Sequence, residues 1–230
     1  MTPERFATIQ RVLNSRQTDF TVITDEVHKG RNLSAIVRTC DAVGIGEFHC
    51  VVPEAGFRPY RGTALGSHKW VETRLHDSIE NGIAHLKAQG MKIVAANLSD
   101  RAVPYHDVDY TVPTAILMGT EKEGVSSKAL ELCDEEVIVP MCGMVESYNV
   151  SVACAIILVE AQRQRRLAGM YDECSLNRDD YERKLFQWCQ PMLTEYCDER
   201  GLEYPELDAE GDLKNPSQWY ASIRGADKEA

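Results

Sequence analysis

The sequence predicts an α/β protein: a parallel sheet with helices on both of its faces. Three observations carry this. Short apolar runs of strand length alternate with segments of helical periodicity, glycine and proline punctuate the joints, and the run Val137 to Glu160 passes from a buried-strand pattern through a polar loop into a helix rich in small residues. A junction of that last kind gathers side-chain oxygens, amides and the positive end of a helix at one point, which favours an anionic or strongly polar ligand. An ordinary capped helix is the equally simple alternative.

In chain order, Thr2-Pro3 opens a short amphipathic helix over 3–16, since proline is well tolerated in the first helical turn. A strand is expected from Phe20 to Thr24. A helix comes next, from Leu33 to Val43, with Ile36, Cys40 and Val43 on one stripe, Asn32 as its N-cap and Gly44 as its stop. Glu47 to Val52 reads as the next strand, and the Gly, Arg and Ala-rich residues 54–69 as a loop or irregular short helix. After these come a helix from Asp77 to Gln89, a strand from Met91 to Ala96 and a strand from Ala115 to Met118. A helix over Ser126 to Cys133 precedes a last strand, Val137 to Val139, which Pro140 ends. Ser147 and Asn149 are suited to cap the apolar stretch from Val150 to Val159. Beyond residue 170 the character changes: 178–199 look helical, and the remaining C-terminal residues are polar and turn-rich. The expected organisation is an N-terminal helical extension (1–18), a central domain (19–168) and a helical, acidic tail (169–230).

The chain carries eight scattered cysteines with no CxxC pair and no zinc-like Cys/His spacing, so we read them as reduced, mostly buried small hydrophobes and expect no metal. No apolar run is long enough to span a membrane, and the first residues lack the apolar centre of a signal peptide, so a cytoplasmic location is the expectation. A net charge of −11 looks wrong for a nucleic-acid binder, but it is unevenly spread. Residues 1–170 hold 18 Lys and Arg against 21 Asp and Glu, while 171–230 hold 7 against 15. Local basic patches rather than overall charge decide phosphate binding. Three are visible: His28, Lys29, Arg31 and Arg38; Arg58 and Arg61; and Arg163, Arg165 and Arg166. Each of these is equally a solvated surface.

Three motifs carry chemistry. In Asn32-Leu-Ser-Ala-Ile-Val-Arg38, the arginine falls about 200° round a helix from Ile36 and so points away from the core stripe, as a phosphate clamp or a plain surface arginine would. In Ile116-Leu-Met-Gly-Thr-Glu121-Lys-Glu-Gly124, a buried strand enters a glycine-bounded acidic loop, which lacks the G-x-G-x-x-G order of a dinucleotide fingerprint. In Ser147-Tyr148-Asn149 the flanking glycines of a hydrolase nucleophile elbow are missing, and Tyr148 is either a stacking platform or an apolar plug.

Taken in order, N-x-S-A-I-x-R-T, I-L-M-G-x-E-K-x-G and I-x-P-M-x-G-M-V-x-S-x-N-V-S-V-A resemble the SpoU/TrmH family of SPOUT RNA methyltransferases. AHLKAQGMKIVAANLSD, HDVDYT and EAQRQRRLAGMY add to the likeness, which runs from about residue 3 to 172 with a weaker echo in the tail. The resemblance implies a C-terminal trefoil knot, S-adenosyl-L-methionine as cofactor, a homodimer, and 2′-O-methylation of a tRNA ribose, guanosine 18 above all. By position it assigns Arg38, Asn32, Glu121, Ser147 and Asn149 to catalysis, and Asn97, Leu117, Gly119, Val139, Met141 and Tyr148 to the cofactor. The small residues Ala153, Cys154 and Ala155 are expected at the dimer interface. For the RNA, we expect contacts from Arg5, Arg11, Lys29, Arg31, Arg58, Arg61, Arg163 and Arg166. Tyr148 stands where the family usually has leucine. Two alternatives stay open: a ribosomal RNA methyltransferase of the same fold, and an RNA-binding relative that has lost catalysis.

Overall fold

The structure is a computed structural model, and it describes residues 1–51 and 69–226. The polypeptide divides into two compact units, residues 16–173 and residues 1–15 with 174–230. The larger unit holds a seven-stranded, all-parallel sheet in the order β3-β2-β1-β6-β4-β7-β5. Its strands are β1 (Phe20–Thr24), β2 (Glu47–Val51), β3 (Glu72–His76), β4 (Lys92–Ala96), β5 (Val103–Pro104), β6 (Thr114–Met118) and β7 (Glu135–Ile138). The central strands β1 and β6 are buried along their whole length, as a parallel sheet covered on both faces requires.

Alternate residues of each strand supply the two layers. Phe20, Val22, Val94, Ile116 and Met118 pack with α2 (Gly30–Ala42) and α5 (Val150–Leu167). Ile23, Val51, Ile93, Ala95, Ala115 and Leu117 pack with α3 (Ile79–Ala88) and α4 (Ser127–Leu132). Arg165 of α5 is fully buried and holds the layers in register: it donates to the carbonyls of Tyr110, Asp19 and Val112 and to Gln17 Oε1, pairs with Asp19 at 2.7 Å, and lies over the Phe20 ring.

In the smaller unit α1 (Pro3–Asn14) buries Phe6, Ile9 and Leu13 against Leu185, Trp188 and Cys189 of α6 (Arg178–Cys189). The stretch 178–199 is helical as expected and consists of two helices, because Pro191 lacks the amide that would continue α6; α7 (Pro191–Arg200) starts there, and α8 (Pro216–Ala226) closes the described chain.

Other boundaries differ for identifiable reasons. Strand β3, Glu-Thr-Arg-Leu-His, has no apolar run because it is an exposed edge strand, and β5 is a two-residue edge; neither shows in hydropathy. The last strand begins two residues before Val137 because Glu136 is buried within it by polar partners. Helix α5 runs eight residues past Val159, carried by the Ile157, Leu158, Ala161 and Arg165 stripe. Asn32 is not an N-cap. The helix starts at Gly30, with Lys29 in the cap position, and the Asn32 side chain turns to another partner. Residues 54–68 of the expected loop lie outside the described residues.

Candidate active site

The site forms where β4, β6 and β7 end. A cavity of about 330 Å³ is bounded by Ala96, Asn97 and Leu98 at the end of β4, by 118–124 at the end of β6, by 137–139 at the end of β7, and by Glu146, Ser147 and Tyr148 with Val150, Ala153 and Ile157 of α5. Ligands of open parallel sheets bind at such carboxyl ends.

Gly119 sets the shape of its floor. A Cβ there would lie 2.1 Å from the Gly124 carbonyl carbon and oxygen and 2.3 Å from the Val125 nitrogen, so only glycine lets the loop fold back on itself. The fold-back is a pair of backbone hydrogen bonds between Thr120 and Gly124, 2.8 and 3.1 Å long, with Gly124 at φ +69°. Thr120 Oγ1 accepts from the Glu123 amide at 3.0 Å, so the acidic residues are presented on a rigid turn.

The three motifs meet at this loop. Asn32 Nδ2 donates to Glu121 Oε1, Lys29 Nζ approaches the same oxygen at 3.2 Å, and Asn149 Nδ2 donates to Asn32 Oδ1 at 3.3 Å. Asn149 caps α5 with its own Oδ1, accepting from the Ser151 amide at 3.0 Å and hydroxyl at 2.7 Å. One carboxylate thus ties the start of α2 to the start of α5. A further brace runs below: buried Asp25 accepts from the Ser126 amide at 2.9 Å and donates its own amide to Met118.

Of the residues expected at the site, Asn97, Gly119, Glu121, Val139, Ser147 and Tyr148 line the cavity, and Asn32 and Asn149 reach it through Glu121. Leu117 and Met141 do not line it; the Leu117 side chain faces the α3 and α4 layer because strand alternation turns it there. Arg38 is exposed on α2, outside the cavity lining, opposite the buried Ile36 as its spacing predicted.

The basic patches are reshaped. Arg5 and Arg11 are exposed on α1, and Arg31 on α2. Lys29 is engaged by Glu121. Arg163 is held by both oxygens of Glu160 at 2.8 Å, and exposed Arg166 lies over the Tyr171 ring. Arg165 leaves the third patch altogether, since it is buried structural charge. Arg58 and Arg61 lie outside the described residues. Sequence reasoning missed Glu123 and Glu146 on the cavity wall, and Glu136, Ser99 and Arg101 beside it; an acidic residue inside the strand run Glu-Glu-Val-Ile was the available signal for Glu136. Among the described residues no cluster of three or more His, Cys, Asp and Glu is arranged to hold a metal ion, and no helix is long and apolar enough to cross a membrane.

Residues 19–159 match the SpoU rRNA methylase family model, and 163–216 the C-terminal model of the same methylases. The chain belongs to the SpoU methylase family. It is 46% identical over 228 residues to the tRNA (guanosine(18)-2′-O)-methyltransferase of Escherichia coli K12, covering 98% of this chain and 100% of that one. The enzyme of the same name from Thermus thermophilus is 49% identical over 187 residues, 81% of this chain and 96% of that one. Among solved structures, the TrmH/SpoU tRNA modifying enzyme of A. aeolicus superposes with a TM-score of 0.75 at 39% identity, covering 87% of this chain and 98% of that one. The methyltransferase AviRb of Streptomyces viridochromogenes, solved with AdoMet, gives 0.59 at 27% identity over 66% of this chain and 62% of that one.

Proposed function

We propose that this protein is an S-adenosyl-L-methionine-dependent tRNA ribose 2′-O-methyltransferase whose target is guanosine 18. The observation that carries the reading is the chain Asn149–Asn32–Glu121, which joins all three motifs at the rim of one cavity. The cavity fits this cofactor. Among the described residues its charged lining is Glu121, Glu123 and Glu146 against Lys122, an acidic surround suited to a cationic sulfonium and ammonium and unsuited to a dinucleotide's phosphates. The cradle at Gly119 admits close backbone approach.

Bound there, the cofactor supplies an electrophilic methyl group. The chain's residues do the rest. Asn97, Gly119, Val139 and Tyr148 enclose the cofactor. Ser147 and Asn149, with Asn32 held by Glu121, grip the ribose and phosphate and align the hydroxyl, the step in which positioning lowers the barrier most. Arg38 binds phosphate and stabilises the developing alkoxide through its donor fork, while the hydroxyl proton leaves to solvent or to the neighbouring phosphate.

The homodimer and a C-terminal trefoil knot belong to the same proposal. The crossover order β1-β6-β4-β7 supports the knot. Supporting the dimer, Met144, Val145, Tyr148, Val152 and Val159 form an exposed apolar run along the loop before α5 and its outer face. Cys154 is turned into the chain's own core and Ala153 packs against that core, so of the expected small-residue trio only Ala155, on the same helix face as Val152 and Val159, would meet the second copy.

The test is transfer of labelled methyl to unmodified tRNA transcript with the product mapped. Methylation is expected at guanosine 18 and absent from a transcript with 2′-deoxyguanosine there. Arg38→Ala should lower turnover by at least roughly 10²-fold while cofactor Kd stays within a few-fold. Modification of ribosomal RNA in place of tRNA would overturn the substrate, and retained turnover in Arg38→Ala the role of that arginine.

A further inference from the structure

Glu136 is a carboxylate inside β7, only 4% exposed, immediately behind the cavity wall. Burying a charge is costly unless donors surround it. Three do: Ser99 Oγ donates to its Oε2 at 2.7 Å, Asn97 Nδ2 to the same oxygen at 2.8 Å, and Arg101 to Oε1. The hydrogen bonds from Ser99 and Asn97 hold the Glu136 carboxyl below the usual carboxylate range, so it is ionised at neutral pH.

An ionised carboxylate only accepts hydrogen bonds, so it dictates which end of the Asn97 amide it meets. The NH₂ must face Glu136, and the carbonyl Oδ1 must face the other way. That oxygen points at Gly124, where a Cβ would stand 3.6 Å from it, and both residues line the cavity. Among the described residues, no donor is bonded to Asn97 Oδ1. The result is an acceptor of fixed polarity held at the cavity wall on a main-chain anchor, the Asn97 amide bonded to Val137 at 3.1 Å.

We propose that Glu136 is a positioning residue for cofactor recognition: it locks the Asn97 amide so that Oδ1 accepts an N–H or O–H donor of the bound S-adenosylmethionine. The inference rests on reading the cavity as the cofactor site. A neutral glutamine at 136 would keep the volume, but its amide can meet Asn97 with either end. Asn97 would then be free to flip and set its NH₂ against the cofactor's donor, and a site built for a hydrogen bond loses heavily when two donors face each other.

The test is a double-variant cycle in the full-length protein, with S-adenosylhomocysteine and S-adenosylmethionine affinities measured by calorimetry. Glu136→Gln should weaken both ligands by about tenfold, and Asn97→Ala by a similar factor. The double variant should be no weaker than Asn97→Ala alone, because Glu136 acts only through Asn97. Glu136→Asp, still acceptor-only, should stay within about threefold of wild type. If Glu136→Gln does not fold, Glu136→Asp against Glu136→Asn makes the same comparison. An analogue with a 6-oxo purine, one with a 2′-deoxyribose and one lacking the amino group of the methionine part identify the donor: the effect of Glu136→Gln disappears for whichever lacks it. Losses that multiply in the double variant, equal losses in the Asp and Gln variants, or Glu136→Gln within twofold of wild type would each overturn the inference. Wild-type protein that binds neither ligand would overturn the cavity's assignment itself, a different result.

Discussion

Gly119 and Glu121 sit two residues apart and do opposite kinds of work. Gly119 is required for what it lacks: any Cβ would meet Gly124 backbone at 2.1 Å, and backbone cannot swing aside as a side chain can. Gly119→Ala should therefore cost about 1–3 kcal/mol or more of stability, lowering Tm by at least several degrees, and should weaken cofactor binding by at least roughly tenfold as the turn opens. Calorimetric Tm and cofactor Kd check both, and an unchanged Kd would show that the loop does not shape the pocket. Glu121 acts by what it collects, namely Lys29 and Asn32 on one oxygen. That pairing is why Asn32 is not available to cap α2, although its residue type and position suggested it.

Helix α3 and strands β2 and β3 enclose a group of three imidazoles. His49 Nδ1 and His76 Nε2 are 2.9 Å apart with stacked rings, and His85 lies 5.7 and 5.6 Å from them. Burial first, then His76, His85 and Arg74, push His49 down to about 3. A histidine with a depressed folded pKa stabilises the protein fully above its unfolded value near 6.5, and that contribution is lost as pH falls toward the folded value. Lowering pH from 7 to 5 should thus remove roughly 2 kcal/mol of stability through His49. Urea titrations should show a shallower loss over this interval in His49→Leu than in wild type; equal slopes would mean that His49 does not stay neutral in the folded state. The cluster lies toward the β3 edge of the sheet, whereas the cavity lies at the ends of β4, β6 and β7. The effect should therefore appear in stability rather than in cofactor affinity.

For the whole molecule, the question is how a chain of net charge −11 would hold the polyanion proposed as its substrate. Much of the acidity is in 171–230, and the exposed arginines differ in how far they are already compensated. Arg163 is clasped by Glu160, while Arg11 and Arg166 have no ion pair among the described residues. Affinity for unmodified tRNA should fall steeply with salt. Arg11→Ala and Arg166→Ala should each flatten the log–log slope by about one contact, and Arg163→Ala by less. Filter binding across a salt series decides this, and slopes unchanged in all three variants would place the phosphates elsewhere. Assembly is tested on the outer face of α5: Val152→Asp with Val159→Asp should shift sedimentation from dimer to monomer and lower methyl transfer together. A wild-type monomer would remove the dimer from the proposal.

What the sequence determined by itself was whatever rests on periodicity and residue type. The alternation of strand and helix, the strands over Phe20–Thr24 and Ala115–Met118, the outward Arg38 and the Asn149 cap arise from local chemistry acting over a few residues. Edge strands escaped because an exposed edge needs no apolar run, and Glu136 and Arg165 were misjudged or missed because a charge reads as surface until its buried partners are known. Only the tertiary structure brought Asn32, Glu121 and Asn149 into one hydrogen-bonded chain, across separations of 89 and 117 residues. It alone decided that Lys29 meets a carboxylate, that Arg165 serves the core, and that the Asn97 amide meets buried Glu136. These are contacts between distant segments, fixed by the crossover order of a parallel sheet, and no local pattern of side chains encodes which loop ends arrive beside one another.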